Sequence, residues 1–470
     1  MNTSESTNYA KDTICAIATA PGTGAIAVVR MSGKDSLKLL WKNFYPKNKS
    51  LTKEKVISHH LYFGNIKKKN GELLDEVLIS YFKAPHSYTG EDAVEISCHG
   101  SEYIQQQILQ LLIESGARMA EAGEFTMRAF LNGKMDLSQA EAVADLIASE
   151  SSMAHRVAMQ QMRGGFSAKI QELRSQLVNF SSLLELELDF GEEDVEFADR
   201  TQMRMLVDTL KNELTRLKKS FQLGNVMKKG IPVAIIGKPN AGKSTLLNSI
   251  LNEEKAIVSD IPGTTRDALE DTIIIEGFSF RFIDTAGLRQ SEDTIENLGI
   301  EKTYDKINQA SIILYVCDIS DINKESMEEM LDEFKQYIHH PNKHFILVAN
   351  KIDKLKKVPA HLKDLLDLET VFVSAKRNEN IHLLADTLVK HVRKQNILKE
   401  LVVSNSRHFE AISKALESIE NVDDGIRNDI PTDLIAIELR QALYYLGSIT
   451  GEVTNDEILG NIFSKFCIGK

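Results

Sequence analysis

The spacing of apolar residues divides the chain into stretches of different texture. Short apolar, β-rich runs at residues 25–30, 77–82 and 93–97 alternate with Gly and Pro turns and predict strands, and residues 103–114 predict one amphipathic helix. Residues 1–133 therefore read as a compact α/β domain. Beyond about Ser138 the period lengthens. Phe166, Ile170, Leu173, Leu177, Phe180 and Leu184 follow at intervals of four, three, four, three and four, which puts them on one helical stripe. A second stripe runs through Met203, Leu206, Leu210, Leu214, Leu217 and Phe221. Residues 185–199 between them hold eight acids and no base around the helix-breaking Gly191. A solvated loop is the expectation there, with a metal site as the other reading.

At Ile231 the pattern becomes strand, Gly-rich turn and helix, repeated, with strands expected at 233–236, 272–275, 280–283, 312–316, 345–349 and 371–373. Strands alternating with helices predict a mostly parallel sheet covered on both faces. Helical spacing returns after about Lys390, through Phe409, Ile412, Leu416 and Ile419 and then Ile435, Leu439, Leu443 and Leu446. Two helical segments that flank an α/β unit can pack together and leave that unit as an insertion. The expected division is 1–133, a helical domain from 134–226 and 393–470, and an inserted domain at 227–392.

Composition narrows the function classes. Fifty-six Lys and Arg against 67 Asp and Glu give a net charge of -11, which argues against a nucleic-acid coat held by bulk positive charge. No apolar run approaches the roughly 20 residues that span a bilayer, and the N-terminus lacks the order of a signal peptide. Cys15, Cys98, Cys317 and Cys467 form no CxxC, so neither a zinc ribbon nor a disulfide framework is indicated, and a reduced, cytoplasmic protein without membrane contact is expected. His59, His60, His339 and His340 have no acidic or cysteine partner at ligand spacing and read as solvated surface.

The chemistry concentrates in the inserted domain. Residues 237–244, GKPNAGKS, match GxxxxGK[ST] between an apolar strand and a helical run. In that context backbone N–H groups of Asn240, Ala241, Gly242 and Thr245 wrap phosphates, Lys243 reaches the β and γ phosphates, and Ser244 holds magnesium. Asp284-Thr285-Ala286-Gly287 ends a strand, where Asp284 can hold the magnesium second shell and Gly287 can face the γ-phosphate. Asn350-Lys351-Ile352-Asp353 also ends a strand, and the Asp353 carboxylate can accept two N–H donors of guanine. Ser374, Ala375 and Lys376 close another strand and would back the base. In this order the motifs specify a GTPase, and GTP is the expected substrate.

Gly263-Thr264-Thr265-Arg266-Asp267 between the first two motifs, together with Asn240 inside the first, resembles the translation-factor-related bacterial GTPases, and the MnmE (TrmE) family of tRNA-modification GTPases in particular. The similarity extends to residues 88–92 (YTGED), 98–100 (CHG), 123–132 (GEFTMRAFLN), 137–142 (LSQAEA) and the closing CIGK at 467–470. It implies an N-terminal α/β domain like those that bind tetrahydrofolate, a discontinuous helical domain and an inserted P-loop, Ras-like G domain. Where Ras-like enzymes place a water-orienting glutamine this chain has Leu288, which cannot hydrogen-bond. The resemblance supplies potassium, held by Asn240, Ser259, Ile261 and Thr264 in a loop that also carries Asp260, Pro262 and Gly263. It matches Thr265 to the switch threonine on magnesium and Glu296 to the acid that orients water. By its residues alone, Glu296 reads equally as an exposed helix-entry carboxylate.

The resemblance further implies a homodimer, G domains that meet during hydrolysis, and an FAD-dependent partner, MnmG. With that partner the family places an aminomethyl or carboxymethylaminomethyl group on C5 of the wobble uridine of certain tRNAs, using a tetrahydrofolate one-carbon unit (5-formyl- or 5,10-methylene-). On that mapping Arg30, Glu95, Lys134 and Lys470 contact folate, although each could be an ordinary surface charge. The usual Pro-Pro-Gly-Arg-Gly is Ala20-Pro21-Gly22-Thr23-Gly24 here, so any role of the missing arginine does not transfer. Cys467 sits among Ile462, Phe463, Phe466 and Ile468, and reads either as a buried inert thiol or as a catalytic thiol brought near the uridine. A ribosome-assembly GTPase and a GTP-gated dimerising scaffold are the alternative functions.

Overall fold

The structure is a computed structural model that describes residues 12–189, 200–255, 271–283, 299–321, 324–341, 343–355, 368–394, 402–428, 430–454 and 456–470. Thirteen strands and fourteen α-helices follow one another along the described residues. First come β1 (Ile14–Ile17), β2 (Ile26–Ser32), α1 (Ser36–Trp41), β3 (Phe44–Pro46), β4 (His60–Lys67), β5 (Leu73–Phe82), β6 (Ala93–His99), α2 (Glu102–Ser115), β7 (Arg118–Met119) and α3 (Glu124–Leu131). Helices α4 (Leu137–Ile147), α5 (Ser152–Met162), α6 (Gly165–Asp189) and α7 (Arg200–Lys229) follow. The next stretch comprises β8 (Ile231–Ile236), α8 (Lys243–Lys255), β9 (Asp271–Ile275), β10 (Phe278–Phe282), α9 (Gly299–Gln309), β11 (Ile312–Asp318), α10 (Lys324–Ile338), β12 (His344–Asn350), β13 (Thr370–Phe372) and α11 (Ile381–Lys394). Helices α12 (Ser406–Arg427), α13 (Thr432–Thr450) and α14 (Asp456–Phe463) close the chain. Among the described residues no helix is long and apolar enough to cross a membrane.

Two compact units share these elements. One joins residues 1–144, 161–206 and 418–470. Its sheet has the order β3-β4-β5-β6-β2-β1-β7, antiparallel except for the β1–β7 pair. Ala27, Val29 and Met31 of β2 and Val94, Ile96 and Cys98 of β6 are buried beneath α2, which contributes Ile108, Leu111 and Leu112. Because side chains alternate across a strand, Arg30 and Glu95 emerge together on the opposite face. The stripe of α6 is buried along its length, from Phe166 to Leu184, and α6 packs against α13, where Arg440 pairs with Glu185 at 2.9 Å, while Arg174 pairs with Glu452 just beyond the end of α13. The acidic stretch begins inside this helix, since α6 continues to Asp189. The expected loop is thereby corrected for residues 185–189, where helical spacing of the preceding apolar residues outweighs the local charge. Gly191 lies outside the described residues.

The other unit holds residues 145–160 and 207–417. Its sheet order is β13-β12-β11-β8-β10-β9, with every pair parallel except β9–β10. All residues of β8 are buried, as expected of a strand covered on both faces. Val233, Ile235, Leu314 and Val348 pack with Leu246 and Ile250 of α8 and Leu384 and Leu388 of α11. Ala234, Ile236, Ile313 and Leu347 face Ile307 of α9 and Met330 and Phe334 of α10. Each predicted strand is present within a few residues, and the edge hairpin β9–β10 accounts for the antiparallel pair.

Candidate functional site

Strand β8 ends at Ile236 and α8 begins at Lys243, so residues 237–242 form a loop at the carboxyl end of a central parallel strand, where open α/β sheets place their ligands. Gly242 has φ +95°, and a Cβ there would lie 2.3 Å from the Asn350 amide nitrogen, so the close approach of these loops requires glycine. Asn240 also adopts a left-handed φ of +60°. The Lys243 ammonium donates to the carbonyls of Gly237 at 2.8 Å and Lys238 at 2.9 Å, and burial, with Lys306 in support, holds it below the usual lysine range. A polyanion at the α8 N-terminus would oppose both effects. Ser244 and Thr245 occupy the following positions of α8.

Two further loops converge on this one, those after β12 and β13. Asn350, 2% exposed, donates to the Ala241 carbonyl at 2.9 Å and accepts from the Ala375 N–H at 3.0 Å. Asp353 accepts from the Ser374 hydroxyl at 2.7 Å, which lowers its pKa and holds the carboxylate ionised. Ser249 of α8 donates to the Ala375 carbonyl at 2.6 Å. Lys351 donates to the Asn240 carbonyl at 2.5 Å, and Lys376 follows Ala375 in the same loop as Ser374. Asn240, Ala241, Asn350, Lys351, Asp353, Ser374 and Ala375, widely separated in sequence, are thus brought together. Ser259, Asp260, Ile261, Pro262, Gly263, Thr264, Thr265, Asp284, Thr285, Ala286, Gly287, Leu288 and Glu296 lie outside the described residues.

Sequence reasoning passed over Ser249 and Asp318. Asp318 ends β11 in register with Asn350, and its one available signal was a carboxylate at the carboxyl end of a parallel strand.

A second cluster sits on the open face of the other sheet. The Arg30 guanidinium donates to Glu95 Oε1 through Nε at 2.9 Å and Nη2 at 2.8 Å, and Nη1 reaches the Gly469 carbonyl at 3.4 Å. The guanidinium carbon lies 5.6 Å from the Tyr88 ring centre and 5.8 Å from that of Phe125. The tail is held there by backbone: the Phe125 N–H donates to the Lys470 carbonyl at 3.2 Å, and the Gly123 N–H to that of Cys467 at 3.4 Å. Gly469 has φ +94°, and a Cβ would fall 2.2 Å from the Ile17 carbonyl oxygen. Lys134 donates to the Pro85 carbonyl at 3.0 Å and packs against Gly90, in the loop that carries Tyr88. Arg30, Glu95 and the tail of Lys470 therefore meet, with Lys134 on an adjoining loop.

The buried reading of Cys467 is corrected: Phe463 and Phe466 are buried, yet the thiol itself is exposed, as is Ile468, because the chain leaves the helical core after Phe466. His59, His60, His339 and His340 are exposed, and among the described residues no cluster of His, Cys, Asp and Glu could hold a metal ion.

Residues 137–467 match the family model described as the MnmE helical domain, and residues 13–134 match the GTP-binding protein TrmE N-terminus. The tRNA modification GTPase MnmE of Flavobacterium johnsoniae is 52% identical over 470 residues, covering 98% of this chain and 99% of that one. Its counterpart in Christiangramia forsetii is 52% identical over 474 residues with the same coverage, and that of Bacteroides thetaiotaomicron is 51% identical over 472 residues, covering 98% and 100%. Among solved structures, the G domain of the T. maritima FeoB iron transporter aligns at 24% identity with a TM-score of 0.25, covering 34% of this chain and 98% of that one. A helical-domain model that matches well over half of the residues, together with relatives half identical from end to end, places this chain in the MnmE (TrmE) family.

Proposed function

We propose that this chain binds and hydrolyses GTP as one subunit of a tRNA-modifying complex. The observation that carries the nucleotide reading is the meeting of three loops: Asn350 ties Ala241 of the phosphate-binding loop to Ala375, while Ser374 holds the Asp353 carboxylate where it can accept the two N–H donors of guanine. Lys243, now resting on loop carbonyls, would turn to the β and γ phosphates.

Metal ions fit the donor set. Ser244, at the start of α8 beside Lys243, would hold magnesium with Thr265, and Asn240, in its left-handed turn, would hold potassium with Ser259, Ile261 and Thr264. Such cations neutralise charge that develops on the transferring phosphoryl group. With Leu288 unable to orient water, Glu296 takes that part.

On the sheet face, Arg30, Glu95, Lys134 and Lys470 would bind a tetrahydrofolate derivative, with Cys467 at its edge. The domains in this reading are 1–133 for folate and homodimerisation, 134–226 with 393–470 for the helical body, and 227–392 for the G domain. The packing of α6 on α13 supports the discontinuous helical body. The FAD-dependent MnmG would be the partner, C5 of the wobble uridine in tRNA the target, and the cytoplasm the compartment. GTP hydrolysis would drive the conformational cycle rather than the bond formation.

Mass analysis of wobble uridines in tRNA from a deletion strain tests the whole reading. Loss of the C5 aminomethyl-type groups is expected, and intact modification would overturn it. Hydrolysis assays with sodium in place of potassium, and with Glu296→Ala, test the parts, each expected to fall by about a hundredfold or more. Equal rates would remove the ion or the acid from the mechanism.

A further inference from the structure

Asp318 is the last residue of β11 and is 7% exposed. Its Oδ2 accepts from the Lys351 ammonium at 2.8 Å and the Lys354 ammonium at 2.9 Å. Its Oδ1 accepts from the Ser320 N–H at 3.0 Å and the Ser320 hydroxyl at 2.5 Å. One buried carboxylate is thereby fully committed, and its donors hold it ionised far below the usual carboxylate range against the opposing effect of burial. The Lys351 ammonium is shared: it also donates to the Asn240 carbonyl of the phosphate-binding loop at 2.5 Å. Lys351 itself has φ +68°, so its side chain leaves the end of β12 from a constrained backbone.

We propose that Asp318 is a positioning residue of the nucleotide site, which acts through Lys351 by clamping that ammonium between its own carboxylate and the Asn240 carbonyl, so that the lysine stem is already in place when the purine arrives. The proposal rests on the reading of this site as a guanine-nucleotide site, and it adds a residue outside the GxxxxGK[ST], DxxG, NKxD and SAK motifs. Fixing a rotamer-rich lysine in advance removes ordering cost from binding. A purely structural role for Asp318 is the weaker account, because the backbone ladder between β11 and β12 already pairs Cys317 with Ala349 and Asp318 with Asn350. Holding those strand ends needs no carboxylate. Lys354, half-exposed, is the subsidiary partner.

The full chain, titrated with a fluorescent GDP analogue and in competition with IDP, tests this. D318N is expected to raise the GDP Kd about tenfold, and K351A at least as much. The double variant should bind no more weakly than K351A alone, since the carboxylate acts through that lysine. K354A should change the Kd less than about twofold. The ratio of GDP to IDP affinity should stay constant in D318N, because Asp353, not Lys351, reads the exocyclic amino group. D318E keeps a carboxylate within reach of both ammoniums and should recover most of the affinity, which guards against a D318N chain that folds poorly. Unchanged binding by D318N, the same loss in the K351A background as in the wild type, or no recovery in D318E would overturn the proposal. A wild-type chain that binds no guanine nucleotide would instead overturn the site reading on which it rests.

Discussion

The Asn350 amide donates to the Ala241 carbonyl at 2.9 Å, although the two residues stand 109 positions apart in the chain. Through its own oxygen the same amide accepts from Ala375, so one buried side chain joins the loop after β8 to the loop after β13. Asn350→Ala leaves a buried carbonyl and a buried N–H without partners. A loss of about 1–3 kcal/mol in unfolding free energy is expected, together with loss of GDP binding. Urea denaturation followed by circular dichroism and a nucleotide titration measure the two effects. A variant that keeps both would show that the loops are held by something else.

Arg128, 2% exposed, donates to Glu124, which is fully buried, and also to Asp12 and Glu91. Arg118 donates to the same Glu124 Oε1 at 2.6 Å. Arg128→Ala leaves buried Glu124 with Arg118 alone and takes a cation from Glu91 and Asp12, and should cost about 3 kcal/mol. Chemical denaturation of the variant against the parent checks this, and a change below about 1 kcal/mol would contradict it.

The four cysteines differ sharply in expected reactivity. Burial pushes the Cys15 thiol up to about 12 and, with Asp318 beside it, the Cys317 thiol to about 12, while burial and then Asp75 push Cys98 to about 11. At pH 8 these three remain protonated, with Cys15 and Cys98 buried and Cys317 half-buried, whereas Cys467 is exposed. Iodoacetamide on the native chain should label one thiol rapidly, and Cys467→Ser should abolish that phase. Rapid labelling of a second cysteine would overturn this expectation.

Asp318 also makes a pH-dependent contribution to stability. Its folded-state pKa is lowered, so the carboxylate stabilises the fold fully above the unfolded value of about 4, and that part is lost as pH falls through the lower folded value. The difference in denaturation midpoint between wild type and Asp318→Asn should be constant from pH 7 to about 5 and shrink below about 4. A difference that grows on acidification would have the wrong sign.

Much of the sheet β13-β12-β11-β8-β10-β9 could be read directly from the chain. Val233 to Ile236 and Phe345 to Ala349 are uninterrupted apolar runs, which suit strands covered on both faces, and the glycine-rich turn after Ile236 marks where phosphate would sit. The stripe from Phe166 to Leu184 likewise marked a buried helical face. The N-terminal sheet was less visible. Strands β1, β3, β4 and β7 are short or carry apolar residues on their exposed face, as at Leu61 and Phe63, so alternation is blurred there.

Local geometry repeats at a fixed period, so sequence by itself marked the strongly apolar strands, the long helical stripes and the glycine-rich turn after Ile236. What only the tertiary structure decided is which distant side chains share a partner. Parallel register sets Asp318 beside Asn350 and hence within reach of Lys351, and the fold of the 12–134 segment encloses Arg128 among three carboxylates. The departure of the tail from the helical core after Phe466 leaves Cys467 in solvent although its neighbours are apolar. Each of these depends on how segments tens to hundreds of residues apart are closed against one another, a choice made by the packing of the whole chain and carried by no local pattern.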